Sequence, residues 1–217
     1  MAGHMLRRIT TLFAAVFCVL FVCATSTQAS TIVYSNLGPG DSYSTGTGWT
    51  VSGPSVFFGT QFEQGSPFTS GSTVSLGTIE LALSNVQGTN TIDIWLMSDS
   101  SGAPDAIMES WTATNLGPFG SNNPLVVLNS VLMPTLVAGT QYWVVASVGG
   151  DTWDVFNWND TGATGHALRV DGGAWSVDSD TAGAFRVTAT AVPEPATLTL
   201  LGISLTGLAL RRRHARR

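Results

Sequence analysis

Apolar residues in the middle of this chain recur at every second position in short runs, and Gly, Ser, Thr, Asn and Pro separate the runs. A period of two places successive side chains on opposite faces of an extended chain, so each run predicts a β-strand. The strongest is Ser75 to Ser84, where Ile79, Leu81 and Leu83 face one way and Glu80, Ala82 and Ser84 the other. After the turn residues Gln87-Gly88-Thr89-Asn90, Thr91 to Ser98 directs Ile92, Ile94 and Leu96 to a core, and the two runs are expected to pair as a hairpin. In Gln141 to Val148, Tyr142, Val144 and Ala146 alternate with Trp143, Val145 and Ser147. Further strands are expected at Thr31–Ser35, along Val56, Phe58, Thr60 and Phe62, at Ala106–Thr114, at Leu125–Leu128 and at Ala184–Thr190. Ala167–Val170 and Ala174–Val177 should form a hairpin across Asp171-Gly172-Gly173. Leu37–Gly53 and Asp99–Asp105 read as polar loops. Nothing in this middle has the period of a long amphipathic helix, so the pattern predicts an all-β domain, a single antiparallel β-sandwich of jelly-roll-like form.

The pattern changes at both ends. Arg7 and Arg8 precede an apolar run from Ile9 to Ala24, and Thr27-Gln28-Ala29 offers the small residues that a signal peptidase reads. Residues 1–29 therefore read as a secretory signal peptide, cut after about Ala29 on passage through the Sec export machinery, with Met5 an alternative start to Met1. At the other end, Pro193 and Pro195 flank Glu194 and keep Val192 to Pro195 extended and accessible. Ala196 to Leu210 follows without a charge. As a helix that run would cover roughly 22 Å against about 30 Å of hydrocarbon, so it predicts a short transmembrane helix suited to a temporary hold. Arg211, Arg212, Arg213, Arg216 and Arg217 would remain on the cytoplasmic side and leave everything upstream outside.

A Pro-Glu-Pro segment, a short apolar helix and an arginine cluster in this order over Val192–Arg217 resemble the PEP-CTERM sorting signal of Gram-negative bacteria. The resemblance implies that exosortase, a membrane cysteine transpeptidase, cuts near Pro193-Glu194-Pro195. The chain would then be membrane-anchored only transiently before it reaches the cell surface or the extracellular matrix. Substrates of this kind tend to be associated with the envelope or with exopolysaccharide. The middle also carries a resemblance. Gly38 to Trp49, Ile79 to Trp111 with Ser98-Asp-Ser-Ser-Gly-Ala-Pro104 inside it, Ala138 to Trp143, and Asn157-Trp158-Asn159 are similar to the choice-of-anchor R domain. This implies a β-sandwich ectodomain and brings no catalytic residues with it.

Removing both ends leaves residues 30–191, the size of one domain. Of the nine basic residues only Arg169 and Arg186 remain there, and of the 14 acids all but Glu194, so its net charge is 2 − 13 = −11. Such a field repels polyanions, which argues against nucleic acid as a partner. Both cysteines, Cys18 and Cys23, fall in the signal segment, so the exported part has no disulfide, no thiolate nucleophile and no thiolate metal site.

Catalytic equipment is sparse. His166 is the one histidine between the two ends, and no Gly-x-Ser-x-Gly elbow accompanies it. Zinc would need more nitrogen or sulfur ligands than are present. The reading is therefore non-enzymatic, with no cofactor; the alternative is an extracellular glycan-active enzyme that uses paired carboxylates drawn from Glu63, Glu80, Glu109 and the loop aspartates. Asp99, Ser101, Asp105 and Glu109 supply hard oxygen ligands around one turn, which suits Ca²⁺, although an exposed acidic turn has the same composition. Trp153, Asn157, Trp158 and Asn159, with Trp175 a hairpin away, combine indoles with planar amides, as stacking on sugar rings and bonding to their hydroxyls require. The same residues would equally serve as packing for a lysine-free core.

Overall fold

In the computed structural model the described residues are 30–57 and 59–190; the expected signal peptide, membrane helix, sorting motif and arginine cluster lie outside them, as does Phe58. Residues 30–190 form one compact unit. Fourteen strands run through it: β1 (Ile32–Ser35), β2 (Gly48–Phe57), β3 (Thr60–Thr69), β4 (Val74–Leu81), β5 (Leu83–Gln87), β6 (Thr91–Ser100) and β7 (Ala103–Thr114), then β8 (Val126–Asn129), β9 (Thr135–Leu136), β10 (Gln141–Ser147), β11 (Trp153–Asn157), β12 (Thr164–Val170), β13 (Ser176–Thr181) and β14 (Phe185–Ala189). The one helical element among the described residues is a 3-10 turn at Pro39–Asp41.

The strands form an antiparallel sandwich of two sheets. The smaller has the order β1-β14-β4-β8, with β9 also on β4; the larger runs β5-β11-β2-β3-β10-β6-β7, with the β12–β13 hairpin joined to β3. Period-two alternation explains which side chains meet between them. From β4 and β14 come Ile79, Leu81, Phe185 and Val187, and from the larger sheet Val51, Phe68, Ile92, Ile94, Leu96, Tyr142, Val144 and Phe156. The opposite face of the larger sheet has a second apolar cluster of Met97, Trp143, Val145 and Ala167, onto which Trp95 and Trp175 pack. Strand β10 is consequently buried on both faces, which is why its run has no polar side.

Several expectations are corrected by the topology. Ser75–Ser84 and Thr91–Ser98 do not pair. The chain leaves the smaller sheet after Leu81 and enters the larger one at Leu83, and Leu81, Ala82 and Leu83 are all buried as it crosses between the layers. The hairpin partner of β6 is β7, and the expected polar loop at Asp99–Asp105 is a tight two-residue turn. Ser101 (φ 57°) and Gly102 (φ 82°) both adopt the left-handed conformation that such a turn needs, so pairing continues to Asp99–Pro104 and Ser100–Ala103. Pro104 is tolerated because β7 is an edge strand. Part of the expected loop at Leu37–Gly53 is the first half of β2, and β3 continues to Thr69 through Gly65 and Pro67, two residues that obscure it in the sequence.

Phe185 is fully buried and contacts Phe156 (ring centroids 6.4 Å apart), Phe68 (6.0 Å) and Tyr34 (5.0 Å), so it joins both sheets. Phe185→Ala should destabilise the domain by about 3–5 kcal/mol, read as a lower urea midpoint with an unchanged slope.

Candidate functional site

The larger sheet branches at β3, and the branch makes a groove. One edge of β3 pairs with β2 near Phe62 and with β12 from Phe62 to Gly65. The first half of β2 diverges to pair with β11 instead. Gly48, Trp49 and Thr50 of β2, Phe62 and Gln64 of β3, and His166 and Leu168 of β12 line the resulting depression of about 430 Å³.

The polar groups in this groove bind one another. The indole of Trp49 stacks on the imidazole of His166 at 3.8 Å and 13°, and its Nε1 donates to the Thr181 carbonyl (2.7 Å). Both ring nitrogens of His166 face acceptors: Nε2 lies 2.7 Å from Gln64 Oε1 and Nδ1 3.2 Å from Asp178 Oδ2. Gln64 Nε2 donates to the Thr50 carbonyl (2.5 Å). His166, expected as a solvated loop residue, is instead buried in β12. What the groove offers a ligand is therefore ring and alkyl surface, from Trp49, Phe62 and Leu168. These residues are absent from the sequence-based site, although the alternation of Trp49 and Val51 marks the start of a strand with Trp49 on its core side.

The five residues grouped as a glycan site are not brought to one surface. Trp158 is half-buried and lies edge-on to Trp49 (5.2 Å, 60°). Trp175 packs on the second apolar cluster of the larger sheet, 4.7 Å from the Arg169 guanidinium, which also lies over Trp95 at 5.7 Å. Trp153 opens β11 and is half-buried. The amides of Asn157 and Asn159 serve the fold. Asn157 Oδ1 accepts from Ser84 Oγ (2.8 Å) and its Nδ2 donates to the Ser44 carbonyl (3.0 Å). Asn159 Nδ2 donates to the Ala163 and Ala182 carbonyls, and its Oδ1 accepts from the backbone N–H groups of Thr161 and Ala163.

The acidic cluster is likewise dispersed. Asp99 accepts from Gln141 Nε2 (2.8 Å), Trp143 Nε1 (2.7 Å) and Gly102 N (3.1 Å). Ser101 occupies the tight turn, Asp105 is exposed, and Glu109 points toward the loop after β8, where it accepts from Val131 N (2.6 Å) and Ser130 Oγ (2.6 Å). Among the described residues no group of three or more His, Cys, Asp or Glu is placed to hold a metal ion. The remaining glutamates are paired with arginine. Glu63 bonds Arg169 and Ser147 on one face, while Glu80 and Asp41 bond Arg186 on the smaller sheet.

The chain leaves this unit at Thr190, whose N–H donates to the Ser75 carbonyl (3.0 Å). Immediately beyond, residues 191–213 match the family model of the PEP-CTERM protein-sorting motif. No curated protein matches the chain. An antiparallel β-sandwich followed by this motif defines an exported protein addressed to exosortase and held transiently at the membrane before processing. The chain thus carries a PEP-CTERM sorting motif behind its β-sandwich.

Asp154 provides a pH handle on this fold. It is fully buried in β11, with Oδ1 accepting from Asn85 Nδ2 (2.8 Å) and Oδ2 without a hydrogen-bond partner. Burial pushes its carboxyl from 3.8 up to about 6, against the smaller opposing effect of the Asn85 hydrogen bond. Since the folded form holds its proton more tightly than the unfolded chain, Asp154 favours folding most below about pH 3.8, and that contribution is lost as pH rises through about 6. The loss should approach about 3 kcal/mol. Urea unfolding followed between these two pH values should show the decline, and Asp154→Asn should flatten it.

Proposed function

We propose that residues 30–190 are a non-enzymatic domain that exosortase processing delivers to the cell surface or the extracellular matrix, where its groove contacts uncharged exopolysaccharide. The observation that carries the reading is how the polar groups are used. Glu63, Glu80 and Glu109 each bond to structural partners in different parts of the domain, and the groove's one titratable side chain has both nitrogens engaged. A glycosidase needs two carboxyl groups facing one another across a cleft. The groove presents Trp49, Phe62 and Leu168, surfaces suited to the C–H faces of sugar rings. A net charge of −11 over residues 30–190 disfavours polyanionic glycans and leaves neutral ones as partners.

Two experiments test this. Replacing Pro193, Glu194 and Pro195 by alanine should leave an unprocessed, membrane-bound chain, seen in cell fractions by the mass of the C-terminal peptide. Identical mass and location for both forms would remove exosortase from the account. For the glycan, affinity electrophoresis in the organism's own exopolysaccharide should retard the wild-type protein and Trp175→Ala, but not Leu168→Asp, which places a charge in the groove. Unretarded wild-type protein would end the polysaccharide reading.

A further inference from the structure

The loop between β8 and β9 holds three successive apolar side chains out in solvent: Val131, Leu132 and Met133 are 80%, 69% and 52% exposed. Its backbone is firmly tied. The buried carboxylate of Glu109 accepts from the N–H groups of Val131 (2.6 Å) and Leu132 (3.1 Å) through Oε1 and from Ser130 Oγ (2.6 Å) through Oε2. Ser130 Oγ in turn accepts from Met133 N (2.9 Å), which has a left-handed φ of 47°. At the base of the loop Ser130 N donates to the Gly77 carbonyl (2.8 Å) and Leu76 N to that of Pro134 (3.0 Å). Several charge-assisted hydrogen bonds thus fix a conformation that buries none of the three side chains fully, and a contiguous exposed apolar patch of this kind marks an interaction site.

Its place in the fold identifies the partner. Ser75 lies between Thr190 on one side, by the hydrogen bond to its carbonyl, and Thr135 on the other, its β-sheet partner. The base of the apolar loop is therefore about two strand spacings, roughly 10 Å, from the point where the chain departs for its sorting motif. Thr190 is six residues before Ala196, where the apolar run begins, and six residues reach at most about 20 Å. In a domain of charge −11, the segment from Ser110 to Gly150 around the tip has no charged residue. Three aliphatic side chains are far too few for a stable protein interface, which buries on the order of 1,000 Å² and favours Trp, Tyr and Arg at its centre. They are sufficient for shallow insertion by a domain whose tether already keeps it at high local concentration beside a bilayer.

We infer that the β8–β9 tip is a second membrane contact of the anchored chain, seating Val131, Leu132 and Met133 in the headgroup–acyl boundary of the bilayer on the exported side. The inference rests on the transient anchoring described above. While the tail holds the chain, the tip fixes which end of the domain faces the membrane; once the tail is removed, aliphatic contacts this small release.

The test uses the tail-bearing chain with Cys18→Ala and Cys23→Ala, reconstituted into phosphatidylcholine vesicles. An environment-sensitive dye is placed at Leu132→Cys or, at the far end of the smaller sheet, at Asp160→Cys. Emission at 132 should shift to the blue and be lost when the lipid carries doxyl quenchers, while that at 160 stays unquenched. Adding Val131→Ser and Met133→Ser should abolish the quenching at 132, which excludes insertion by the dye itself. Chain that floats with vesicles but shows no quenching at 132 overturns the tip contact and leaves anchoring intact. Chain that fails to float overturns anchoring and the contact with it. Self-association lost on Val131→Ser and Met133→Ser, with 132 unquenched, would assign the tip to a second copy instead.

Discussion

Where the two sheets meet at one corner, buried backbone groups must find partners without water, and the arrangement that satisfies them holds the sandwich together. The chain crosses between layers at Ala82, whose N–H donates to the Ala184 carbonyl (3.0 Å) while its own carbonyl accepts from Asn157 N (3.0 Å). Ala184 N closes the set on the Asn157 carbonyl (2.8 Å). Three strand ends from different parts of the sequence are thereby locked at a point where only small residues fit. A Cβ on Gly183 would approach the Phe156 ring to 2.5 Å. Side-chain amides complete what the backbone leaves open. Asn36, buried, donates to the Gly183 carbonyl (2.7 Å) and accepts from Phe185 N (2.7 Å), in effect extending β1 by one more rung beside β14.

This corner explains why the candidate ligand residues could be read from the sequence in two ways. Asn157 and Asn159 stand beside indoles, as they would in a sugar site, yet buried strand ends in a lysine-free domain need the same planar amides. Only the register of β11 against β2 and β5, and the contacts of Ala182, decide between the roles, and both depend on residues distant in the chain. Most strands were legible wherever one face is buried and the other wet, as in β4, β6 and β14, and β10 was legible because its run is apolar on both sides. The β6–β7 turn was hidden because Ser101 adopts a left-handed conformation more typical of glycine. The groove was hidden because it arises from a branch in strand pairing, a property of topology that no local pattern encodes. The acidic cluster failed to form a site for a simpler reason: Asp99 and Glu109 turn toward different N–H donors along β7 and its neighbours.

Charge is used the same way throughout. The two arginines of the described domain each hold glutamate, Arg169 with Glu63 beneath Trp95 and Trp175, and Arg186 with Glu80 and Asp41 across the smaller sheet. With every cation committed, the other acids rely on neutral donors or on solvent, and Asp154 is left with one oxygen unpaired. A buried carboxylate of this kind costs stability near neutral pH, and its persistence beside Asn85 fixes how β11 meets β5.

The chain ends bring these features together. Ala189 N donates to the Thr31 carbonyl (2.8 Å) and Thr190 N to that of Ser75 (3.0 Å), so the domain begins and finishes at one end of the smaller sheet. The apolar loop tip stands at this same end, two strands over, within the longest uncharged stretch between the acids. The opposite end is marked by Asn36 and Thr161, joined by a 3.1 Å hydrogen bond, and lies about 20 Å further along β4. A tethered body whose apolar loop stands at the end nearest the tether presents that loop to the bilayer first. That polarity requires no basic residue in the domain. It depends on which strands the topology places beside the exit of β14, and so on the corner at Ala82 that makes β4 the central neighbour of both β14 and β8.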